Sequence, residues 1–342
     1  MLDQLMFDSA SNLEAEFYKE KFYFSYSSLK KLLWNPAVFY QLYVLNIRNK
    51  GLDSDLINGK VIHALLLEGG KFNENFIISP SELPSGNSKV VIDRVYNHYK
   101  ILVTDSAETR TNLEEFGNAI LDVLADMKLH QSLKTDEQRL AKIITPDNIS
   151  YFEFLKEKKD KVLIDQETYN YCKAAVDVVK ATPDICNLIG CATTDFDNKE
   201  VYNELELQVD IKGKKFGLKG IIDNLLIDHD TKVIYINDIK TTSKELKDFK
   251  ETVNFYSYWL QAVIYCTMVA IKFKDLLDNG YDIKFSFVVI DKNFNTYAFP
   301  VTSPTLENWF NKLTEVLDIA SWHYENKNYG LPYEFAKGLV TL

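Results

Sequence analysis

The chain has 342 residues, 46% hydrophobic and 26% charged, with 39 basic and 49 acidic side chains and a net charge of −10. That balance excludes disordered and fibrous classes, and the length allows one large domain or two small ones with a core that needs no disulfide or metal staple. The acidic total argues against a protein that coats nucleic acid non-specifically, yet it leaves room for a local basic groove or for carboxylates gathered on a metal.

The nearly apolar run Trp259 to Ile271 falls short of the roughly 20 residues of a membrane span. The N-terminus lacks a basic and then apolar leader, so a cytoplasmic protein is expected. Four cysteines, at 172, 186, 191 and 266, include no CxxC pair. They read as reduced thiols, with no iron–sulfur or zinc site.

The first part of the chain is expected to be helical. Ser25 caps a helix that begins Tyr26-Ser-Ser-Leu-Lys-Lys, Pro36 opens a second to about Asn46, and Leu56 to Glu68 forms a third before Gly69-Gly70. Residues 79–88 read as a loop. Residues 89–190 read as mostly helical, with breaks near 104–106, 145–149 and 182–184. The pattern changes near Val201. Tyr202 to Ile211, Phe216 to Ile227 and Lys232 to Ile239 read as three strands in a meander, then a long helix runs from Thr252 to Phe273. Strands at 282–290 and 295–301 and a helix at 305–325 complete the chain. The expected fold is α/β in the α+β sense, a mixed sheet flanked by helices. Neither GxGxxG nor GxxxxGK[ST] occurs.

The informative stretch is Gly220-Ile-Ile-Asp223 followed by Ile236-Asn-Asp238-Ile-Lys240. If Asp228 and Val233 close the hairpin, Asp223 lies opposite Asp238 on one sheet face, and Lys240, two residues on, points the same way. Opposed carboxylates in apolar strands destabilise a sheet unless a cation joins them, and carboxylates with water suit Mg²⁺ or Mn²⁺. A salt-bridge cluster on an exposed face would give the same pattern. Glu204 and Glu206 share a face of the preceding strand, and either could reach the site. His63 sits on the apolar third helix, where a satisfied core histidine is the plainer reading. Gln261 and Tyr265, four apart, share a face of the long helix.

In order, Gly59-x-x-x-His63, Glu204, Gly220-Ile-Ile-Asp223, Asp238-Ile-Lys240 and Gln261-x-x-x-Tyr265 resemble the RecB-type branch of the PD-(D/E)xK nucleases. Ser25-Tyr-Ser-Ser-Leu with Asn35-Pro36-x-x-Phe39, and the run Gly59 to Phe76, resemble more narrowly the exodeoxyribonuclease VIII (RecE-like) exonucleases common in phages. The resemblance covers roughly 22–80 and 200–270. It implies a restriction-endonuclease-like core and a single nuclease domain over 1–342. Within it, 1–80 is a helical part carrying the histidine motif, 81–200 a mainly helical insertion and 201–342 the catalytic sheet. It implies metal binding by Asp223, Asp238, the Ile239 carbonyl and His63, a second metal or its water on Glu204, and a water positioned or activated by Lys240. Gln261 and Tyr265 would contact DNA or steady the site, and Ser25 would shape the DNA path.

The implied activity is Mg²⁺-dependent DNA exonuclease, leaving 5′-phosphates, with a structure-specific or nicking endonuclease and a non-catalytic DNA-binding protein as alternatives. The implied setting is phage recombination, repair or DNA degradation, with a single-strand annealing protein as partner and homo-oligomers among the relatives. Residues 204–250 hold nine lysines and nine acids. With Glu204, Asp223 and Asp238 set aside as ligands, Lys212, Lys214, Lys215, Lys219, Lys244, Lys247 and Lys250 form a basic surround. Lys30, Lys31, Arg48, Lys50 and Lys60 are candidates for its other wall.

Overall fold

The computed structural model describes residues 12–47, 55–80, 83–84, 86–105, 111–194 and 197–340. Arg48 and Lys50 lie outside the described residues. In chain order the elements are β1 (Tyr23–Phe24), α1 (Tyr26–Trp34), α2 (Pro36–Phe39), α3 (Asp55–Leu67), α4 (Phe72–Asn75), β2 (Phe76–Ile78), α5 (Gly86–Asp105), α6 (Gly117–Asp126), α7 (Asp136–Ile143), α8 (Pro146–Lys158), β3 (Val162–Ile164), α9 (Gln166–Ala181) and α10 (Pro183–Ile189). There follow β4 (Lys199–Asp210), β5 (Gly217–Asp228), β6 (Val233–Thr242), α11 (Phe249–Phe255), α12 (Tyr258–Lys272), α13 (Lys274–Asp278), β7 (Asp282–Asp291), β8 (Thr296–Pro300), α14 (Ser303–Asn326) and α15 (Tyr333–Ala336). The chain divides into two units, Met1–Gly69 with Lys173–Leu342, and Gly70–Cys172.

The first unit is built on a six-stranded mixed sheet. β4, β5 and β6 form the expected antiparallel meander; β6 then pairs parallel with β7, and β8 returns antiparallel. A parallel neighbour requires a crossover, which α11 and α12 supply. β5 and β6 are buried along most of their length, and so read as apolar runs rather than as alternation. Their tight turn is held by Asp228, whose Oδ1 accepts the amides of Asp230 and Thr231, both at 3.0 Å. The core packs Phe216, Leu225, Ile234, Ile236, Phe285 and Phe287 against α12 and α14. This is the restriction-endonuclease-like arrangement expected from the sequence.

The pairing along β5 is uneven. One edge pairs with β4 from Gly217 to Asp228. On the other, β1 takes Gly217 and Leu218, and β6 begins only at Asn224. Residues 219–223 on that edge have no strand neighbour. A cavity of about 690 Å³ opens there, lined by Ser25, Ser27, Glu206, Lys219, Tyr265 and Asp223.

Three local expectations are corrected. The helix expected from Pro36 to about Asn46 is α-helical only to Phe39, and continues as a π-helical turn over Tyr40–Val44. The loop expected over 79–88 already enters α5 at Gly86. The single helix expected from Thr252 to Phe273 is two, parted at Tyr256 and Ser257, where Ser257 takes a left-handed φ of +58°. The run Phe255-Tyr256-Ser257-Tyr258-Trp259 holds middling helix formers, so nothing in it resists that break. In the second unit, β2 and β3 pair in parallel over three residues each, too short to show a period.

The second unit has its own core, with Val91, Ile92, Val95, Phe116, Ile120 and Phe152 buried among α5, α6 and α8. Tyr96, Tyr99, Tyr151 and Phe154 pack on that core. Among the described residues no helix is long and apolar enough to cross a membrane.

Candidate active site

The site begins where β5 and β6 part. The hairpin register pairs Asn224 with Asn237, so Asp223 and Asp238 come next on each strand. There the ladder stops, and the Asp223 carboxylate takes the place of a backbone carbonyl: its Oδ2 accepts the Ile239 amide at 2.7 Å. On the other side of β5, Asn203 pairs with Asn224 and Leu205 with Ile222, which sets Glu204 across from Asp223. Glu204 carries a left-handed φ of +49°, an unfavourable conformation for a non-glycine residue. Glu204, Asp223 and Asp238 thus form one row of acids across three strands.

The register that makes the row is fixed from the other sheet face. Each acid has an asparagine beside it in sequence, and the three asparagines form a ladder. Asn224 Nδ2 donates to Asn203 Oδ1 at 2.8 Å, and Asn237 Nδ2 donates to Asn224 Oδ1 at 2.8 Å. The same amides reach helix ends: Asn224 to the Ile189 carbonyl at 2.9 Å, Asn237 to Leu188 at 2.9 Å, and Asn203 to Leu67 at 3.0 Å. A one-residue slip of any strand would break this ladder and send its acid to the opposite face. Sequence reasoning missed these residues, although the dipeptides Asn203-Glu204, Asp223-Asn224 and Asn237-Asp238 were there to be read.

α3 brings His63 to the row. Gly59, one turn earlier, faces β6, where a Cβ would make ordinary contact with Thr241 Oγ1 at 3.4 Å. His63 Nδ1 lies 3.2 Å from Glu204 Oε1, and Nε2 lies 3.0 Å from the Ile239 carbonyl and 3.8 Å from Asp223 Oδ2. Burial pushes the imidazole pKa down, but the Glu204 hydrogen bond and the Asp223 and Glu204 charges outweigh it, so His63 is raised to about 9. Both ring nitrogens then donate, to Glu204 and to the Ile239 carbonyl, and the imidazole can ligate a cation only by giving up a proton.

Asp238 is fully buried. Its Oδ2 is 2.5 Å from Lys240 Nζ, yet neither carboxylate oxygen has a donor at hydrogen-bonding angles. Burial raises its pKa to about 6 against the opposing pull of Lys240, and Asp223 adds to the rise. Lys240 is pushed down by burial but raised more by Asp238 and Asp223. It therefore stays an ammonium, suited to holding a water or a phosphoryl oxygen rather than to taking a proton. The Tyr258 ring covers it at 5.0 Å.

Gln261 and Tyr265 are buried on α12 and joined by a 2.9 Å hydrogen bond from the amide to the hydroxyl. Burial pushes the Tyr265 phenol well above its ordinary range, so it stays protonated. Gly220 makes room for it: a Cβ there would stand 2.9 Å from Met268 Cε and 3.0 Å from Tyr265 Cε1. Ser25 caps α1 in a reciprocal pair with Ser28 and faces the cavity, as does Lys219. Of the basic surround, Lys214, Lys215 and Lys247 turn to Asp318, Glu325 and Glu245.

The donors fit a divalent cation. His63, Glu204 and Asp223 offer three ligand atoms within 4.8 Å of one another, and Asp238 adds a buried carboxylate that faces Lys240. Carboxylates suit Mg²⁺, and the imidazole also admits Mn²⁺. Of the two candidate acids on β4, Glu204 joins the cluster, while Glu206 is exposed at the cavity mouth. The Ile239 carbonyl is taken up by His63. A bound ion would lower the pKa of a water and stabilise charge on a phosphodiester. The protein's own share is to hold the carboxylates in one row and to keep a cation at Lys240.

The chain is similar to the crystal structure of a "Putative exonuclease" from Eubacterium rectale, at 11% identity and a TM-score of 0.44, with 98% of this chain and 91% of that one covered. It is also similar to the crystal structure of SSO0001, at 12% identity and a TM-score of 0.22, with 68% of this chain and 87% of that one covered. No curated protein matches the sequence. Residues 23–329 match the PD-(D/E)XK nuclease superfamily, and the chain belongs to that family of nucleases.

Proposed function

We propose that the protein is a Mg²⁺-dependent deoxyribonuclease that hydrolyses DNA from its ends. One observation carries the reading: Glu204, Asp223 and Asp238 lie in a row at the point where β5 and β6 part, with His63 on one side and Lys240 on the other. In this reading Asp223, Asp238, Glu204 and His63 hold the ion, and Lys240 orients the attacking water or meets the developing phosphoryl charge. Gln261 and Tyr265 steady the site, and Ser25, Lys219 and Lys244 guide the DNA. The preference for ends rests on Ser25-Tyr-Ser-Ser-Leu with Asn35-Pro36-x-x-Phe39 and on the run Gly59 to Phe76, which resemble the exodeoxyribonuclease VIII group. A cytoplasmic role in phage-type recombination, repair or DNA degradation, beside a strand-annealing partner, follows from the same resemblance.

End-labelled linear duplex and a covalently closed circle, each with Mg²⁺ and with EDTA, test this directly. The expected result is metal-dependent loss of the linear form alone, abolished by Lys240→Ala. Cutting of the circle would replace the exonuclease with an endonuclease. A folded wild-type protein that degrades neither substrate in Mg²⁺ or Mn²⁺ would refute the reading.

A further inference from the structure

We propose that the exposed turn between α11 and α12, with one face of α1, is a stacking track for the bases of single-stranded DNA beside the active site. The inference rests on the nuclease reading for its substrate, and on a separate set of residues for its geometry.

The track starts at the site. The Tyr258 ring lies 5.0 Å from Lys240 Nζ and stacks on Tyr256, with centroids 5.5 Å apart and planes 23° from parallel. Tyr256 meets Phe255 edge to face at 4.9 Å. Phe255 is 76% exposed, the most exposed large hydrophobic side chain among the described residues. The chain turns here through Ser257 at φ +58°, a conformation that an L residue adopts only under outside constraint. The turn is pinned by the Tyr26 hydroxyl, which donates to the Tyr256 carbonyl at 2.5 Å. A strained turn that holds a phenylalanine in water adds nothing to the core.

Cations alternate with the rings. Lys244 Nζ lies 5.9 Å from the Phe255 ring, and Lys30 Nζ lies 5.3 Å from Tyr256 and 5.7 Å from Tyr26. Helical spacing puts Tyr26, Lys30 and Trp34 on one face of α1, where Trp34 is 66% exposed and has Lys31 at 4.9 Å from its ring. Among the described residues no carboxylate forms an ion pair with Lys30, Lys31 or Lys244, in a chain whose net charge is −10. Ring faces with ammonium groups at their edges match a strand that offers one flat base and one phosphate per step. A duplex keeps its base faces inside the stack and cannot use the rings. An apolar protein surface would leave three ammonium groups without partners.

The test is binding in EDTA, where nothing is cut. The probes are a fluorescent oligothymidylate and a strand of equal length whose sugars carry no bases. Wild type should prefer the base-bearing strand, and Phe255→Ala should shrink that preference by about 5- to 150-fold, the range for losing one base–ring stack. Phe255→Trp should restore it. Matching thermal unfolding of the three proteins guards against a folding defect. Equal binding of both strands by wild type, or a preference that survives Phe255→Ala, would overturn the proposal and leave the rings to a protein partner. The nuclease reading stands or falls separately, on cleavage and on Lys240→Ala.

Discussion

Asp238 is an acid buried at a cost to the fold. Its carboxyl is fully buried and its pKa is raised from 3.8 to about 6. A raised pKa on an acid means that the folded state binds the proton more tightly than the unfolded chain does. Between those two values the folded state holds more protons, so stability falls as pH rises. Each pH unit between the two values is worth at most 1.36 kcal/mol, so a loss on the order of 1–3 kcal/mol develops between roughly pH 4.5 and pH 7. Asp238→Asn removes this titration while keeping the shape. Urea unfolding of wild type and variant in EDTA across that range should show the variant gaining about 2 kcal/mol relative to wild type. Saturating Mg²⁺ at neutral pH should stabilise wild type more than the variant, because a cation then meets the buried charge. A difference that is flat with pH, or that shrinks toward neutrality, would refute the assignment of a buried, strained carboxylate.

Other outcomes follow from the same geometry. Gly220→Ala sets a methyl against the flexible end of Met268 and, at 3.0 Å, against the Tyr265 ring; a cost of about 1 kcal/mol in urea unfolding is expected, with cleavage reduced as Tyr265 shifts. Asn224→Ala removes two ladder hydrogen bonds and the one to the Ile189 carbonyl; a loss of about 3 kcal/mol is expected. Mg²⁺ affinity should also weaken in that variant, a readout that general destabilisation would not move below the unfolding transition. Burial pushes the thiols of Cys172 and Cys266 up to about 12 and, with Cys186 beside it, that of Cys191 up to about 11, but Cys191 is exposed where the other two are buried. A thiol reagent should therefore modify Cys191 in the native protein, slowly at neutral pH and faster as pH rises, and reach Cys172 and Cys266 only on unfolding. His323 is buried with Nε2 unpartnered, and burial lowers its pKa. Its neutral form is favoured in the fold, so its contribution to stability is complete above about pH 6.5 and declines as pH falls through the lowered value. His323→Gln should flatten the acid limb of a thermal-unfolding series.

Much of this site was legible because its strands are apolar and a tight turn joins β5 to β6. The closure at Asp228 and Val233 was readable from the turn residues, and with it the facing of Asp223 and Asp238. The motif spacing from Gly59 to Tyr265 drew attention to His63, which a pattern reading alone leaves in the core. Three features were not legible, each for a physical reason. The parting of β5 from β6 depends on a side chain, Asp223, replacing a backbone acceptor, and no periodicity reports that. The choice of Glu204 over Glu206 depends on a left-handed residue in β4. The break at Ser257 lies in a run whose apolar spacing continues through it, so the period promised one helix where the fold makes two.

The central claim is that His63 and the acid row form one divalent-cation centre. Crystals soaked in Mn²⁺ and measured for anomalous scattering test it most directly. The account predicts a peak at coordination distance, about 2.0–2.2 Å, from carboxylate oxygens of the row that includes Asp223. Absence of a peak there, in a protein that degrades DNA only with Mn²⁺ or Mg²⁺, would contradict it.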